Sequence, residues 1–316
     1  MIMGCRKHYF CKVSDKLINW CLLLLLSIIW GGSFILMKKG MFTDNGAPVF
    51  SSMQVGSMRM FIAGSLLLPI GIMPLLRLKS IRDFLSLSMV GFCGNFIPAF
   101  LFTYAETGIP SGLAGVLNSC TPLFIVFLGI VFFKTSYSWF QFAGILIGTL
   151  GLFILLRGSL SIGTQTHWTH PGAVVLATLL YAISLSTIKY RLQHLNSIQI
   201  TSMAFSILWI PSLLALLLSD PFQNMGTSQG LSSLKSIGIL SVFGTVAAVF
   251  LFNIVIRRSS AIFASSVTYF IPMVALIFGS LSGEKIVTSQ LLGMAIIISG
   301  VLLINVFQKK DALQKE

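Results

Sequence analysis

Arg59 is the residue with the most to say about chemistry. It lies in S-M-R-M-F-I-A-G, inside a long apolar run. An arginine left near the centre of a lipid-embedded helix costs about 2.5–3.5 kcal/mol on insertion scales, so such a residue usually faces a polar cavity. The chemistry expected of it is attraction of an anionic group such as a carboxylate. The alternatives are snorkelling to the outer interface or capping of helix carbonyls. Glu106, at the end of another apolar run, is a candidate partner for Arg59 and a candidate proton carrier.

Other polar groups sit in apolar surroundings. Pro122 and Pro272 are expected to break two helices at matched places, because proline removes a backbone donor and frees a carbonyl. Near them lie Asn118, Ser119 and Thr121 in one half of the chain, and Thr268 and Tyr269 in the other. Trp30, Ser33, Asn95, Tyr104, Tyr181, Ser184 and Asn253 complete the set. These seven, together with Arg59, Asn118, Thr268 and Tyr269, are candidate lining residues of a central substrate cavity. The alternative for each is an interhelical hydrogen bond worth about 0.6 kcal/mol on average.

Catalytic and metal chemistry find no support. His8, His167, His170 and His194 are assigned to loops or tails, and H-E-x-x-H, G-x-S-x-G and Walker-A patterns are absent. His167 and His170 are spaced at i and i+3, but neither Cys nor carboxylate lies close by to complete a metal site. The five cysteines show no C-x-x-C spacing and are expected to be buried free thiols. The chain is therefore read as a non-enzyme without cofactor or metal.

The elements that must position these residues follow from composition. Only 9% of the 316 residues are charged and 55% are hydrophobic, with a mean hydropathy of +0.92. Soluble chains carry roughly 25% charged residues. The net charge of +13 does not indicate nucleic acid, since the basic residues form short clusters between apolar runs. Ten apolar segments can be drawn, at 17–38, 51–76, 84–105, 110–133, 138–157, 171–190, 197–218, 234–256, 261–282 and 287–307. Each approaches the roughly 20 residues needed to span a bilayer. They do not alternate as barrel strands do. The first follows a basic stretch but runs on without a cleavage signal, so it is read as a retained helix.

With the N-terminus in the cytoplasm, inner segments hold Arg6, Lys7, Lys12, Lys16, Arg77, Lys79, Arg82, Lys134, Lys189, Arg191, Arg257, Arg258, Lys309, Lys310 and Lys315. Outer segments hold only Lys38, Lys39, Arg157, Lys235 and Lys285. The positive-inside rule then predicts a multi-pass protein of the cell membrane with both termini cytoplasmic.

The two halves also align. Trp30, Ser33 and Lys38 match Tyr181, Ser184 and Lys189; Pro122 and Lys134 match Pro272 and Glu284; Gly144 and Gly151 match Gly293 and Gly300. The glycine run Gly144, Gly148, Gly151 is read as a packing face, within the fold or between subunits. Five helices is an odd number, so the second half must be inverted in the membrane. The charges agree: Lys134 faces in and Glu284 out, while Thr107 and Gly108 face out and Arg257 and Arg258 in. The expected fold is an all-α membrane protein with ten transmembrane helices as two inverted five-helix repeats. The divisions are a cytoplasmic tail at 1–16, a first repeat at 17–157, an outer linker at 158–170, a second repeat at 171–307 and a tail at 308–316.

Five stretches carry a family likeness: W-G-G-S-F at 30–34, R-M-F-I-A-G at 59–64, F-x-Y-A at 102–105, P-S-G-L-A-G-V-L-N-S-C-T-P-L-F at 110–124 and G-E-K-I-V-T-S-Q-L-L-G-M-A-I-I-I-S-G-V-L-L at 283–303. Together they resemble the EamA family of the drug/metabolite transporter superfamily over about residues 17–307. Where that family often ends its fourth helix with Gly-Glu, this chain has Phe133-Lys134; only Gly283-Glu284 keeps the pair, and Glu284 is read as serving structure or topology. The resemblance implies a secondary transporter or facilitated exporter of small organic metabolites, amino acids or related compounds. Its partners would be the substrate, the lipid bilayer and a proton or counter-substrate. A non-transporting membrane scaffold and an intramembrane enzyme are the rival classes.

Overall fold

The computed structural model describes residues 3–133, 139–160, 167–258, 264, 267–284 and 286–313, with side chains left out at both ends of the chain and at a few positions between. Lys134, residues 161–166 of the expected linker and the last three residues lie outside the described residues.

Among the described residues the regular structure is helical. The only β feature is an isolated bridge between Phe42 and Pro48. The elements are α1 (Met3–Met41), α2 (Ser52–Leu76), α3 (Ile81–Gly91), a π-helical stretch (Phe92–Phe96), α4 (Ile97–Ala105), α5 (Ser111–Asn118), α6 (Thr121–Phe133) and α7 (Trp139–Leu160). They continue as α8 (Thr169–Arg191), α9 (Ser197–Ser219), α10 (Phe222–Met225), α11 (Ser228–Ile239), a second π-helical stretch (Leu240–Ala247), α12 (Ala248–Arg258), α13 (Val267–Leu281) and α14 (Thr288–Leu313). Residues 3–16, assigned to a tail, are helical and continuous with the first apolar segment.

Seven helical segments are long and apolar enough to cross a membrane: Leu17–Met41, Ser52–Leu76, Ile81–Ala105, Ser111–Phe132, Thr169–Arg191, Ser197–Ser219 and Ser228–Val255. Three shorter apolar helices follow the remaining segments, at Phe142–Ile154, Val267–Leu281 and Thr288–Leu303. The bundle is dressed for lipid. Large apolar side chains such as Leu24, Phe132, Leu150, Leu218 and Leu292 are exposed, whereas Ser27, Ser57, Thr178, Ser212 and Ser241 are buried. In water that distribution would leave far more exposed apolar surface than soluble monomers carry.

Local chemistry sets the helix starts. Ser51 with Gln54 and Asn196 with Gln199 form capping boxes at the starts of α2 and α9. These two helices then pack along each other, as do α7 and α14. Meanwhile α1 packs against α13 and the α11–α12 segment, and α8 packs against α5–α6 and the α3–α4 segment. Glycines allow the closest approaches. A Cβ on Gly300 would overlap Gly144 and Gly148 of α7, and one on Gly71 would overlap the Ser202 carbonyl of α9. The glycine run of α7 is thus a packing face within the fold.

The expected breaks at the two prolines are realised differently. The chain is interrupted between α5 and α6 at Ser119–Cys120, and Pro122 follows at the second residue of α6. Its missing donor has no helical acceptor there anyway. Pro272, by contrast, lies inside α13 and does not break it. A proline costs a helix one donor and a ring clash, and packing on both sides of α13 outweighs that. The cysteine expectation also needs correction: Cys120 is buried, Cys93 is half-buried and Cys21 is exposed on the apolar outside.

Candidate functional site

The central core cluster joins α1, α4, α5, α6, α8 and α13. Within it lies a cavity of about 280 Å³, bordered by side chains from both halves of the chain. Along α1, Trp30, Ser33, Phe34 and Met37 recur at i, i+3, i+4 and i+7 and so share one helical face. Arg59 enters from α2, Phe102 from α4, Asn118 from α5, Thr121 from α6, Tyr181, Ser184 and Leu185 from α8, and Thr268 and Ile271 from α13. The remaining wall is π-helical. Gly94 and Asn95 come from the first π stretch, and Gly244 and Thr245 from the second. A π turn shifts the hydrogen-bond register by one residue and is often found where a helix borders a site. Here the Thr245 hydroxyl donates to the carbonyl of Leu240, five residues back.

Eight of the eleven candidate lining residues therefore border one cavity: Trp30, Ser33, Arg59, Asn95, Asn118, Tyr181, Ser184 and Thr268. Three do not. Tyr104 lies about 200° round its helix from Phe102; it is 40% exposed, donates to Thr169 and stacks on His170 at 4.9 Å. His170 itself stands in the first turn of α8 rather than in a loop. Asn253 is buried but spends its amide on the Val249 carbonyl, one turn back, at 2.9 Å. Tyr269 is rotated about 100° from Thr268 and packs into the surrounding core.

Arg59 donates from Nε to Thr245 Oγ1 at 3.2 Å and directs Nη1 at the Met37 sulfur at 3.6 Å. Among the described residues no carboxylate forms an ion pair with it. Glu106, its expected partner, is not within hydrogen-bonding reach and acts on it only through space. Asn118 Oδ1 is buried without a hydrogen-bond partner among the described residues. The cavity thus presents a cationic donor and an unused acceptor, framed by the Trp30, Phe102 and Tyr181 rings. Its volume is just below the roughly 300–1,000 Å³ of drug-sized pockets, which suits a small organic molecule.

One helical turn outward from Phe34 and Phe102, the same two helices supply Lys38 and Glu106 to a wider vestibule of about 640 Å³. The Phe34 and Phe102 rings pack edge to face at 5.6 Å, and Phe102 stacks on Tyr181 at 5.9 Å. Glu284, read from the sequence as serving structure or topology, is the keystone of this vestibule. Its Oε1 accepts from Lys38 Nζ at 2.7 Å and from the Ser111 backbone and hydroxyl at 2.9 Å each; Oε2 accepts from the Gly112 backbone at 3.1 Å. It therefore caps α5 from a distant part of the chain, since Pro110 at the N-cap offers no side-chain acceptor. Burial pushes the Glu284 carboxyl up, but the hydrogen bond and charge of Lys38 and the two backbone donors outweigh it and hold it below the usual range.

Comparison with known proteins decides the family. The sequence profile of the EamA-like transporter family matches residues 18–157 and 172–306. The chain belongs to the EamA-like transporter family. This EamA-like transporter is 26% identical over 292 residues to the uncharacterized inner membrane transporter YedA of Escherichia coli (strain K12), covering 90% of this chain and 89% of that one. It is 23% identical over 288 residues to a probable terminal-alkyne amino-acid exporter of Streptantibioticus cattleyicolor, covering 90% and 92%. A solved protein structure, 18% identical, shares the fold with a TM-score of 0.58 over 94% of this chain and 98% of that one. The EamA-like transporter is thus a multi-pass membrane protein, and its cavity is the natural candidate for the transport site.

Proposed function

We propose that this EamA-like transporter is a secondary transporter or facilitated exporter of small organic metabolites bearing a carboxylate, amino acids or related compounds among them. The observation that carries the proposal is Arg59, a cation on the cavity wall with no carboxylate ion-paired to it among the described residues. An intramembrane cation in that setting gains most from a substrate anion. Asn118 Oδ1 offers an acceptor to a substrate amine or hydroxyl. The relative named as an amino-acid exporter supports the same cargo class.

The transporter crosses the membrane ten times, as two inverted five-helix repeats at 17–157 and 171–307 flanked by cytoplasmic tails, and works by alternating access between them. Helices α7 and α14 run 22 and 26 residues, enough to span. The repeat reading is supported by the reciprocal packing of α1 and α8, by paired capping boxes and by two π stretches at corresponding places. The orientation is supported by the lysine and arginine distribution.

The test is counterflow in proteoliposomes with radiolabelled succinate, L-glutamate, L-alanine and L-threonine, with and without a proton gradient. Flux of one or more of these solutes is expected. Arg59→Ala should lower uptake of these carboxylates much more than that of a solute with no carboxylate, such as glycerol. Equal effects on both would remove Arg59 from substrate recognition, and chemical conversion of a solute without flux would favour an enzyme.

A further inference from the structure

Glu106 is a buried carboxyl that the vestibule leaves without a hydrogen bond among the described residues. It stands at the C-terminal cap of α4, the residue is 1% exposed, and neither carboxyl oxygen has a partner among the described residues. A buried carboxylate with no donor is disfavoured strongly enough that the group takes up a proton instead. The charged groups that act on it come from three other elements: Lys38 from α1, Glu284 from the segment after α13 and Arg59 from α2. Lys39, Asp44 and His170 complete the charged and titratable lining of the vestibule. Lys38 is already engaged by Glu284 at 2.7 Å. Arg59 is therefore the cation whose charge is not locally cancelled.

We infer that Glu106 is a proton-binding site linked to anion binding at Arg59, so that a substrate carboxylate and a proton are carried together. This rests on the anionic-cargo reading above. Burial holds the Glu106 carboxyl well above the usual carboxylate range; Lys38 opposes that, Glu284 adds to it and Arg59 opposes it. An anion settling on Arg59 cancels the Arg59 contribution, and the carboxyl then holds its proton more tightly. By reciprocity the anion binds more tightly when Glu106 is protonated. The proton is taken from water on the side to which the cavity is open and returned to water on the other. L-glutamate, with one net negative charge, then crosses with its proton as an electroneutral pair, whereas succinate keeps one charge.

Two measurements test this. In lipid vesicles, the infrared C=O stretch of a protonated carboxyl is titrated with pH in the intact protein. Wild type should show a band titrating well above the ordinary carboxylate range, and Glu106→Gln should lack it. Glu106→Asp, offered in case the first variant does not fold, should keep a band with a moved midpoint. Arg59→Gln should raise the midpoint, with about tenfold tighter proton binding, a usual size for coupling between sites. A band that survives in Glu106→Gln, or a midpoint that does not move in Arg59→Gln, overturns the assignment. The second measurement follows vesicle pH during net uptake of succinate or L-glutamate into vesicles that start without them. Proton movement with the acid, lost in Glu106→Gln, supports the linkage. Acid flux without proton movement overturns the linkage but leaves the transport reading intact, whereas flux of solutes without a carboxylate alone overturns both.

Discussion

Replacing Glu284 should unlatch α5 from the C-terminal end of α13. Four donors converge on its carboxylate: Lys38 Nζ, the Ser111 N–H and O–H, and the Gly112 N–H. Ser111 and Gly112 are the first two residues of α5, whose N–H groups have no partner inside the helix. Loss of a helix cap costs about 1 kcal/mol, and leaving part-buried donors unpaired adds roughly 1–2 kcal/mol more. The ion pair contributes less than a fully buried one, because the Lys38 side chain is 32% exposed against 11% for Glu284; about 0.5–1 kcal/mol is reasonable after screening. Glu284→Ala should therefore destabilise by about 2–4 kcal/mol, and Glu284→Gln, which keeps one acceptor, by about half of that.

The assay is reversible unfolding in mixed detergent micelles, with Lys38→Met and the double variant closing a thermodynamic cycle. The pH dependence has a definite sign. The folded Glu284 carboxyl lies below its unfolded value near 4.5, so its stabilisation is present above that pH and is lost as pH falls through the folded value. Glu284→Gln should flatten the acid limb. A loss below about 0.5 kcal/mol in Glu284→Ala, within the range of ordinary surface substitutions, would refute the capping role.

Three further outcomes are expected. Glu106 titrates with the opposite sign: its folded value is raised by burial, so its stabilisation is present at low pH and is lost as pH rises through the folded value; Glu106→Gln should abolish that alkaline loss in the same unfolding assay. Gly300→Ala places a methyl into the Gly144 and Gly148 backbone and should cost about 1–3 kcal/mol, whereas Gly172→Ala, with nothing near its Cβ, should change stability by less than about 1 kcal/mol in parallel melts. Asn118→Ala removes a buried unpartnered acceptor, so it should leave folding nearly unchanged while weakening binding of an amine-bearing substrate about tenfold in equilibrium binding measurements.

Much of this protein is legible in one dimension because lipid imposes a one-dimensional constraint. A segment that must satisfy its own backbone inside a bilayer becomes a helix of about 20 apolar residues. The segments therefore fall close to the helices: 51–76 became Ser52–Leu76, and 197–218 became Ser197–Ser219. The exception at 110–133, which is two helices, arises where Ser119 and Cys120 turn the chain before a proline that suits a helix start. Polar residue type alone also picked out Arg59, Asn95, Asn118 and Tyr181, because an unneeded polar group in lipid is costly wherever it points.

What residue type could not supply was direction. Tyr104, Asn253 and Tyr269 are as polar as the residues that border the cavity, yet rotation about the helix axis turns them to a rim, a carbonyl and the core. Thr245 went unsuspected for the same reason. Its position depends on a π stretch whose register shift no hydrophobic pattern records, although it stands 150 residues beyond Asn95 in the alignment of the two halves. Composition and hydropathy by themselves determined that this chain is a bundle of membrane helices with ionisable groups held inside it. Only the tertiary structure decided that Arg59 borders a cavity with no carboxylate ion-paired to it among the described residues, that Glu284 rather than Glu106 neutralises Lys38, and that Glu106 is left buried without a donor. Those facts depend on distances between helices far apart in the chain, and local sequence energetics carries no information about which distant charge arrives first.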